Sequence, residues 1–272
     1  MNYFKFVLFL AFLGFLAICW ITVRKRVKDT KLLKKSGTFL AKDKFGTPVI
    51  LEWERSTVKE PSHSKNMKEV CDVACKAYTE VEVRFLKEFP DVIKKEEYYA
   101  QFRPLFSKGI EYVDWKLIEK EMYKRIKQIH EMDYSNFSID DIYFFIRVKD
   151  KETKELLGFT TFLIKPEFPQ NTVKDISIGV TPEAQGRGLG KLLMSSIFKI
   201  LPTVNRIFLF TRVTNDKAIG VYKAWGFTEN LHPIQDPNFV FKKEHWVSLE
   251  YKIESADTLQ KTAETLTKST NG

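Results

Sequence analysis

The sequence predicts one α/β catalytic domain behind an apolar N-terminal segment, and three stretches carry that prediction. A β-rich run, Val173 to Val180, enters the glycine-rich loop Gln185-Gly186-Arg187-Gly188-Leu189-Gly190. An apolar helical run, Lys191 to Leu201, leaves the loop, and a second β-rich run, Arg206 to Val213, follows. Strand, loop, helix and strand in that order form the heart of an α/β unit. The third stretch is Phe6 to Val23, which is uncharged and rich in Phe and Leu. At 272 residues and 44% apolar content, the chain has room for one core of about 200 residues with appendages.

As a helix, Phe6 to Val23 would span roughly 27 Å, close to the hydrocarbon thickness of a bilayer. A secretory signal has a shorter apolar region, and the best small-residue cleavage site here, Ala17-Ile18-Cys19, is poor. Residues 1–23 therefore read as an uncleaved transmembrane anchor, with secretion after cleavage as the alternative. Arg24, Lys25, Arg26, Lys28, Lys31, Lys34 and Lys35 follow against only Asp29. The positive-inside rule then places the catalytic domain in the cytoplasm, and the cluster at 24–35 can hold anionic head groups. Residues 24–47 read as a basic juxtamembrane linker.

Val49 to Arg55 alternates enough for a first strand. From Asn66 to Phe89, Met67, Val70, Ala74, Ala77, Val81, Phe85 and Phe89 recur at three and four, the period of an amphipathic helix, and Pro90 ends it. A second helical stretch covers about Glu96 to Phe106, interrupted by Pro104. A third, Trp115 to Met132, has Asp114 as its N-cap and Ile118, Met122, Ile126 and Ile129 on one face. The helical region spans about residues 63–133. Ile142 to Lys149 and Leu157 to Lys165 flank the polar turn Asp150-Lys-Glu-Thr-Lys-Glu155 and form a hairpin. After the strand Arg206 to Val213 come a helix from Asp216 to Trp225 and strands near Phe227 to Leu231 and Trp246 to Ile253. The tail, 254–272, is polar and expected to be flexible.

Alternate glycines, followed by a helix N-terminus with unpaired N–H groups and a positive dipole end, make an anion cradle. Two patterns fail. A P-loop needs Lys then Ser or Thr after its last glycine, and Lys191 is followed by Leu192. A dinucleotide fingerprint spaces its third glycine one residue further on and needs an acid at the end of the next strand, which Arg206 to Val213 lacks. Downstream lies Asn215-Asp-Lys-Ala218-Ile-Gly-Val-Tyr222-Lys-Ala-Trp-Gly226-Phe227. By itself it is an ordinary helix with Asn215 as N-cap and Gly226 just past its end.

Taken together, Q/R-x-x-G-x-G/A and N-x-x-A-x-x-x-Y-x-x-x-G-F, in this order with a strand between them, resemble the signature of the GNAT N-acetyltransferase superfamily, over about residues 48–253. The resemblance implies a mixed, mostly antiparallel sheet with a V-shaped splay between two parallel strands and helices on both faces. It implies that the backbone N–H groups of the loop Gln185, Gly186, Arg187, Gly188, Leu189 and Gly190, with Lys191 after it, hold the pyrophosphate of acetyl-CoA and that Asn215 helps position the pantetheine arm. Backbone N–H near Val180 would hold the thioester carbonyl, and Tyr222 would protonate the departing thiolate. A base is needed as well, because an amine of pKa near 10 is free base only to roughly one part in a thousand at neutral pH. Asp175 is the one carboxylate on the strand before the loop, and a one-residue shift turns it to the other face of the sheet unless a bulge intervenes. As a bare residue it reads as a solvated strand-edge charge; Glu80 and Glu82 are further candidates.

The implied function is an acetyl-CoA-dependent N-acetyltransferase acting on a primary amine by direct attack, tethered to a membrane. The alternative is a catalytically weak CoA sensor or scaffold. The net charge of +9 raises nucleic acid as a partner, but the basic excess sits beside the apolar segment without interleaved aromatics, so none is expected. Cys19, Cys71 and Cys75 make no disulfide framework. His63, His130, His232 and His245 are scattered without ligand spacing, so no metal is expected.

Overall fold

A computed structural model of the chain describes residues 35–57, 64–131, 140–235 and 241–253. The expected anchor at 1–23, nearly all of the basic cluster and the tail at 254–272 lie outside the described residues. No described helix is long and apolar enough to cross a membrane.

Eight strands form one sheet: β1 (Ser36–Lys42), β2 (Pro48–Thr57), β3 (Ile142–Asp150), β4 (Leu156–Ile164), β5 (Thr172–Val180), β6 (Arg206–Arg212), β7 (Thr228–Glu229) and β8 (Trp246–Lys252). Their order is β1-β2-β3-β4-β5-β6-β8-β7. Every neighbouring pair is antiparallel except β5 and β6, which run parallel. The hairpin read from the turn at 150–155 is β3 and β4. One expectation fails at the N-terminal side. Residues 36–42, assigned to a linker, pair along their whole length with β2. This edge strand is half solvated, with Ala41 buried while Leu40 is 50% exposed, so it lacks the hydrophobic weight that marks a strand in sequence.

Among the described residues five α-helices complete the domain: α1 (Ser64–Glu88), α2 (Val92–Lys95), α3 (Trp115–Glu131), α4 (Leu189–Ile200) and α5 (Asp216–Ala224). Asp114 caps α3 as expected, its Oδ1 accepting from the amides of Lys116 at 3.0 Å and Leu117 at 3.2 Å. The stretch with Pro104 is a run of 3-10 turns, Glu97–Phe106, rather than a helix of α type. A missing proline N–H is tolerated there because the i+3 ladder is already short and irregular.

Two glycines show that α1 and α4 cover opposite faces of the sheet. A Cβ on Gly179 would meet Val73 of α1, whereas one on Gly158 would meet Leu193 of α4. Gly158 pairs with Val180, the neighbour of Gly179, and neighbours on a strand point to opposite faces. On the α1 side, Cys71, Cys75, Phe85, Leu86, Tyr99, Phe102, Ile118 and Met122 form one buried cluster. The two cysteines share a helix face with sulfurs 3.6 Å apart and are not joined in a disulfide.

Candidate active site

The site is made by what the sheet leaves out. β5 and β6 pair only at Thr172 to Lys174 against Arg206 to Phe208. From Asp175 onward the two strands separate, while β5 stays on β4 and β6 stays on β8. This is the V expected from the resemblance, and Asp175 is the first residue past its apex. The peptide groups of Ile178 face into the V: its N–H donates to the Tyr78 hydroxyl at 3.1 Å rather than to β4. By the two-residue repeat of a strand, the amide of Val180 faces the same way.

A bulge decides which face Asp175 takes. Thr161 pairs with Ser177 but Phe162 pairs with Asp175, so Ile176 is an extra residue without a partner, and it is 38% exposed. Without it, Asp175 would share the α1 face with Ser177 and Gly179. With it, Asp175 moves to the face of Ile178, Val180 and α4. The contacts agree: Thr160, which pairs with Ile178, donates its hydroxyl to Asp175 Oδ1 at 3.2 Å.

On that face Asp175 meets Tyr222 of α5, and the carboxyl and the phenol act on each other's proton. Both are buried, at 5% and 7% exposure, which replaces the reading of Asp175 as a solvated edge charge. Burial pushes the Asp175 carboxyl up to about 7, against the opposing pull of bonds from Thr160, the Ser177 amide and Tyr222 and of the Lys174 charge. Burial also raises Tyr222 well above the usual phenol value, with the charge and hydrogen bond of Asp175 adding to it. The two side chains singled out for catalysis are therefore one coupled pair at the apex of the V.

The glycine loop stands at the open end. Pro182–Ala184 make a single 3-10 turn, Gln185 is extended, and Gly186 and Gly188 take φ of 79° and 76°, in the left-handed region that favours glycine. Gly188 is the N-cap of α4 and supplies no capping side chain, so the first amides of the helix are left for an outside acceptor. Gly190 has another reason to be glycine: a Cβ there would stand 2.8 Å from the Trp225 ring. The Arg187 guanidinium is committed to Asp43 of the β1–β2 turn, with Nε 2.7 Å from Oδ2, so this residue anchors the loop. Burial pushes Asp43 up, but Arg187 and the amides of Thr47 and Phe45 outweigh it and hold the carboxyl below the usual range. Asn215 makes no side-chain cap; its amide donates to Thr211 Oγ1 at 3.0 Å on β6. Gln185 Oε1 accepts from Lys217 of α5 at 3.2 Å, joining the loop to the helix that carries Tyr222. Lys191 follows on the exposed side of the first turn of α4.

The other two carboxylates do other work. Glu80 is exposed and paired with Arg84 one turn on, at 3.1 Å. Glu82 is locked to Arg212 Nε at 2.9 Å and accepts from Tyr99, and the Arg212 guanidinium lies between the rings of Trp246 and Phe85, 3.8 and 4.0 Å from their centres. Removing one member of a buried pair strands the other charge, so Glu82→Gln should cost about 3–5 kcal/mol of stability, read as a lower urea midpoint. Among the described residues, no group of three or more metal-ligating side chains converges. Tyr78, Thr160 and Asp43 were not foreseen: each reaches a partner 15 to 144 residues away, and no local pattern encodes such a contact.

Residues 112–227 match the model of the acetyltransferase (GNAT) family. Two curated mycothiol acetyltransferases are similar over short stretches. That of Paenarthrobacter aurescens (strain TC1) is 36% identical over 77 residues, 27% of this chain and 24% of the relative. That of Arthrobacter sp. (strain FB24) is 43% identical over 53 residues, 19% and 16% of the two chains. The matched part thus spans about a quarter or less of the length of these relatives. Similar solved structures include the PaiA N-acetyltransferase of Thermoplasma acidophilum in complex with coenzyme A, 15% identical, covering 75% of this chain and 99% of that one, with a TM-score of 0.40. Another is the ribosomal-protein-S18-alanine N-acetyltransferase of Escherichia coli, 22% identical, covering 45% and 76%, with a TM-score of 0.33. The two sequence blocks and the sheet opened between its parallel strands both fall within or beside residues 112–227, the part of this chain that is similar to the GNAT acetyltransferase family.

Proposed function

We propose that the chain is an acetyl-CoA-dependent N-acetyltransferase that acts on a primary amine by direct attack, held at a membrane by residues 6–23 with its catalytic domain in the cytoplasm. The observation that carries the reading is the buried pair of Asp175 and Tyr222 at the apex of the V, each acting on the other's proton. In this reading the pantetheine lies in the V and the pyrophosphate meets the first amides of α4. Asp175 takes the proton of the attacking amine; a base that titrates near 7 is well matched to neutral pH. Tyr222 gives its proton to the departing thiolate. The pairing sets the order of these steps. While Asp175 is charged it holds the Tyr222 proton in place; once Asp175 is neutralised by the amine, that hold is gone and Tyr222 becomes the stronger acid. The proton on Asp175 then passes back to Tyr222, so the amine proton leaves with CoA as its thiol.

The membrane part rests on the apolar run and the Lys/Arg cluster that follows it. The acceptor is an amine of unassigned identity, and the printed activities of the relatives belong to those proteins. The test is thiol release from acetyl-CoA by the full chain in detergent across a library of amines. Turnover with at least one amine is expected. Tight CoA binding without thiol release for any amine would favour the sensor reading instead. For the anchor, N-terminal sequencing of the membrane fraction should return the intact start of the chain; a new N-terminus near residue 20 in the medium would overturn it.

A further inference from the structure

One half-buried titratable side chain at the V is left unused by the reaction above. Tyr78 projects from α1, on the face opposite Tyr222, and its hydroxyl lies 3.1 Å from the Ile178 nitrogen, 3.3 Å from the Ile178 oxygen and 3.0 Å from Ser177 Oγ. The hydroxyl accepts the Ile178 N–H. Its one proton has two acceptors to choose from, the serine oxygen and the Ile178 carbonyl. The amide N–H and the phenolic O–H thus stand in series on the wall of the V: the Ile178 amide holds and polarises the Tyr78 oxygen, which leaves the O–H as a strengthened donor that can turn to another acceptor. Such a donor is what a carbonyl oxygen needs as it becomes an oxyanion.

We infer that Tyr78 is a further catalytic residue: on binding of acetyl-CoA its O–H turns from Ser177 to the thioester oxygen and, with its own oxygen still held by the Ile178 N–H, stabilises the negative charge of the tetrahedral intermediate. The inference rests on the proposed acetyltransferase function. Burial raises the phenol to about 12, helped by the charge of Asp175 and opposed by the bond to Ser177. It therefore stays protonated throughout the working range, which suits a donor and excludes a base. No proton is transferred: the hydroxyl keeps its hydrogen before and after acyl transfer, and only the acceptor of its bond changes. Ser177 is the resting acceptor and is dispensable.

The test uses the full chain and needs no knowledge of the amine. Acetyl-CoA labelled with carbon-13 at the thioester carbonyl is bound to wild type and to Tyr78→Phe, and the isotope-edited infrared band is recorded. The band should shift to lower wavenumber on binding to wild type and lose most of that shift in Tyr78→Phe, while the Kd for CoA, which has no carbonyl at this place, stays within about twofold. Where a turned-over amine is available, kcat should fall about 100-fold or more with KM for acetyl-CoA little changed, and Ser177→Ala should keep near wild-type turnover. An unchanged band in Tyr78→Phe, or a loss of CoA affinity equal to the loss of turnover, would overturn the inference. Failure of wild type to bind CoA at all is a different outcome; it would overturn the proposed function, and this inference with it.

Discussion

Asp175→Asn should lower kcat by about 100- to 10,000-fold, the range expected on losing a general base, with the Kd for CoA little changed. Wild-type turnover should rise with pH through about 7 as Asp175 gives up its proton, and the variant should lose that step. The same substitution makes a prediction of opposite sign for stability. Burial raises the Asp175 pKa, so the unfolded carboxyl ionises near 4 while the folded one keeps its proton until about 7. The group therefore favours folding at low pH, and that contribution is lost as pH rises through this window. Asparagine carries no charge to bury and still offers an oxygen to Thr160 and Tyr222. At pH 8 the variant should melt a few degrees above wild type, on the order of 4–8 °C, and the gap should close toward pH 4. Less activity with more stability is a pattern that a merely structural role for Asp175 would not give.

Tyr222→Phe is the second large effect. It removes the acid for the thiolate and also the hydrogen bond that helps keep Asp175 ionised. Turnover should fall about 100-fold or more, and the residual activity should rise with pH at a value above that of wild type, because the lost bond no longer lowers the Asp175 pKa. The defect should also depend on the leaving group: a thioester whose thiol is more acidic needs less help and should recover much of the rate. The check is kcat against pH, and against a series of acyl thioesters of falling thiol pKa. An equal loss for every thioester would remove Tyr222 from the role of acid.

Much of this architecture was legible in the sequence because it is written in local patterns. The polar turn at 150–155 between two β-rich runs gave the β3–β4 hairpin, and the three-and-four spacing from Met67 to Phe89 gave α1 within a few residues. The resemblance carried by the loop and by Asn215 to Phe227 implied the V before any strand order was known. The misses have a common cause, dependence on partners distant in sequence. β1 is an edge strand whose outer half is solvated, so its residues carry little apolar signal. Asn215 follows the local rule for an N-cap, yet Thr211 on β6 takes its amide instead. The bond of the Arg187 guanidinium to Asp43, 144 residues earlier, has no local signal either.

The placement of Asp175 is the most instructive case. Whether it faces Tyr222 or α1 depends on one unpaired residue, Ile176, and a bulge is a property of two strands in register rather than of either sequence. Tyr78 is similar. Nothing in an amphipathic helix says that its one tyrosine will bond to a strand 100 residues away. Both contacts arise where β5 leaves β6, so the feature that opens the sheet also gathers the chemistry.

The account stands or falls on that opening, and a crystal structure of the chain with CoA tests it most directly. The pantetheine should lie between β5 and β6 beyond Lys174, with the pyrophosphate on the amides from Gly188 to Lys191 and the sulfur within hydrogen-bond distance of the Tyr222 hydroxyl. CoA bound outside the V, or a sulfur turned away from Tyr222 with Asp175 on the far side of the sheet, would contradict it.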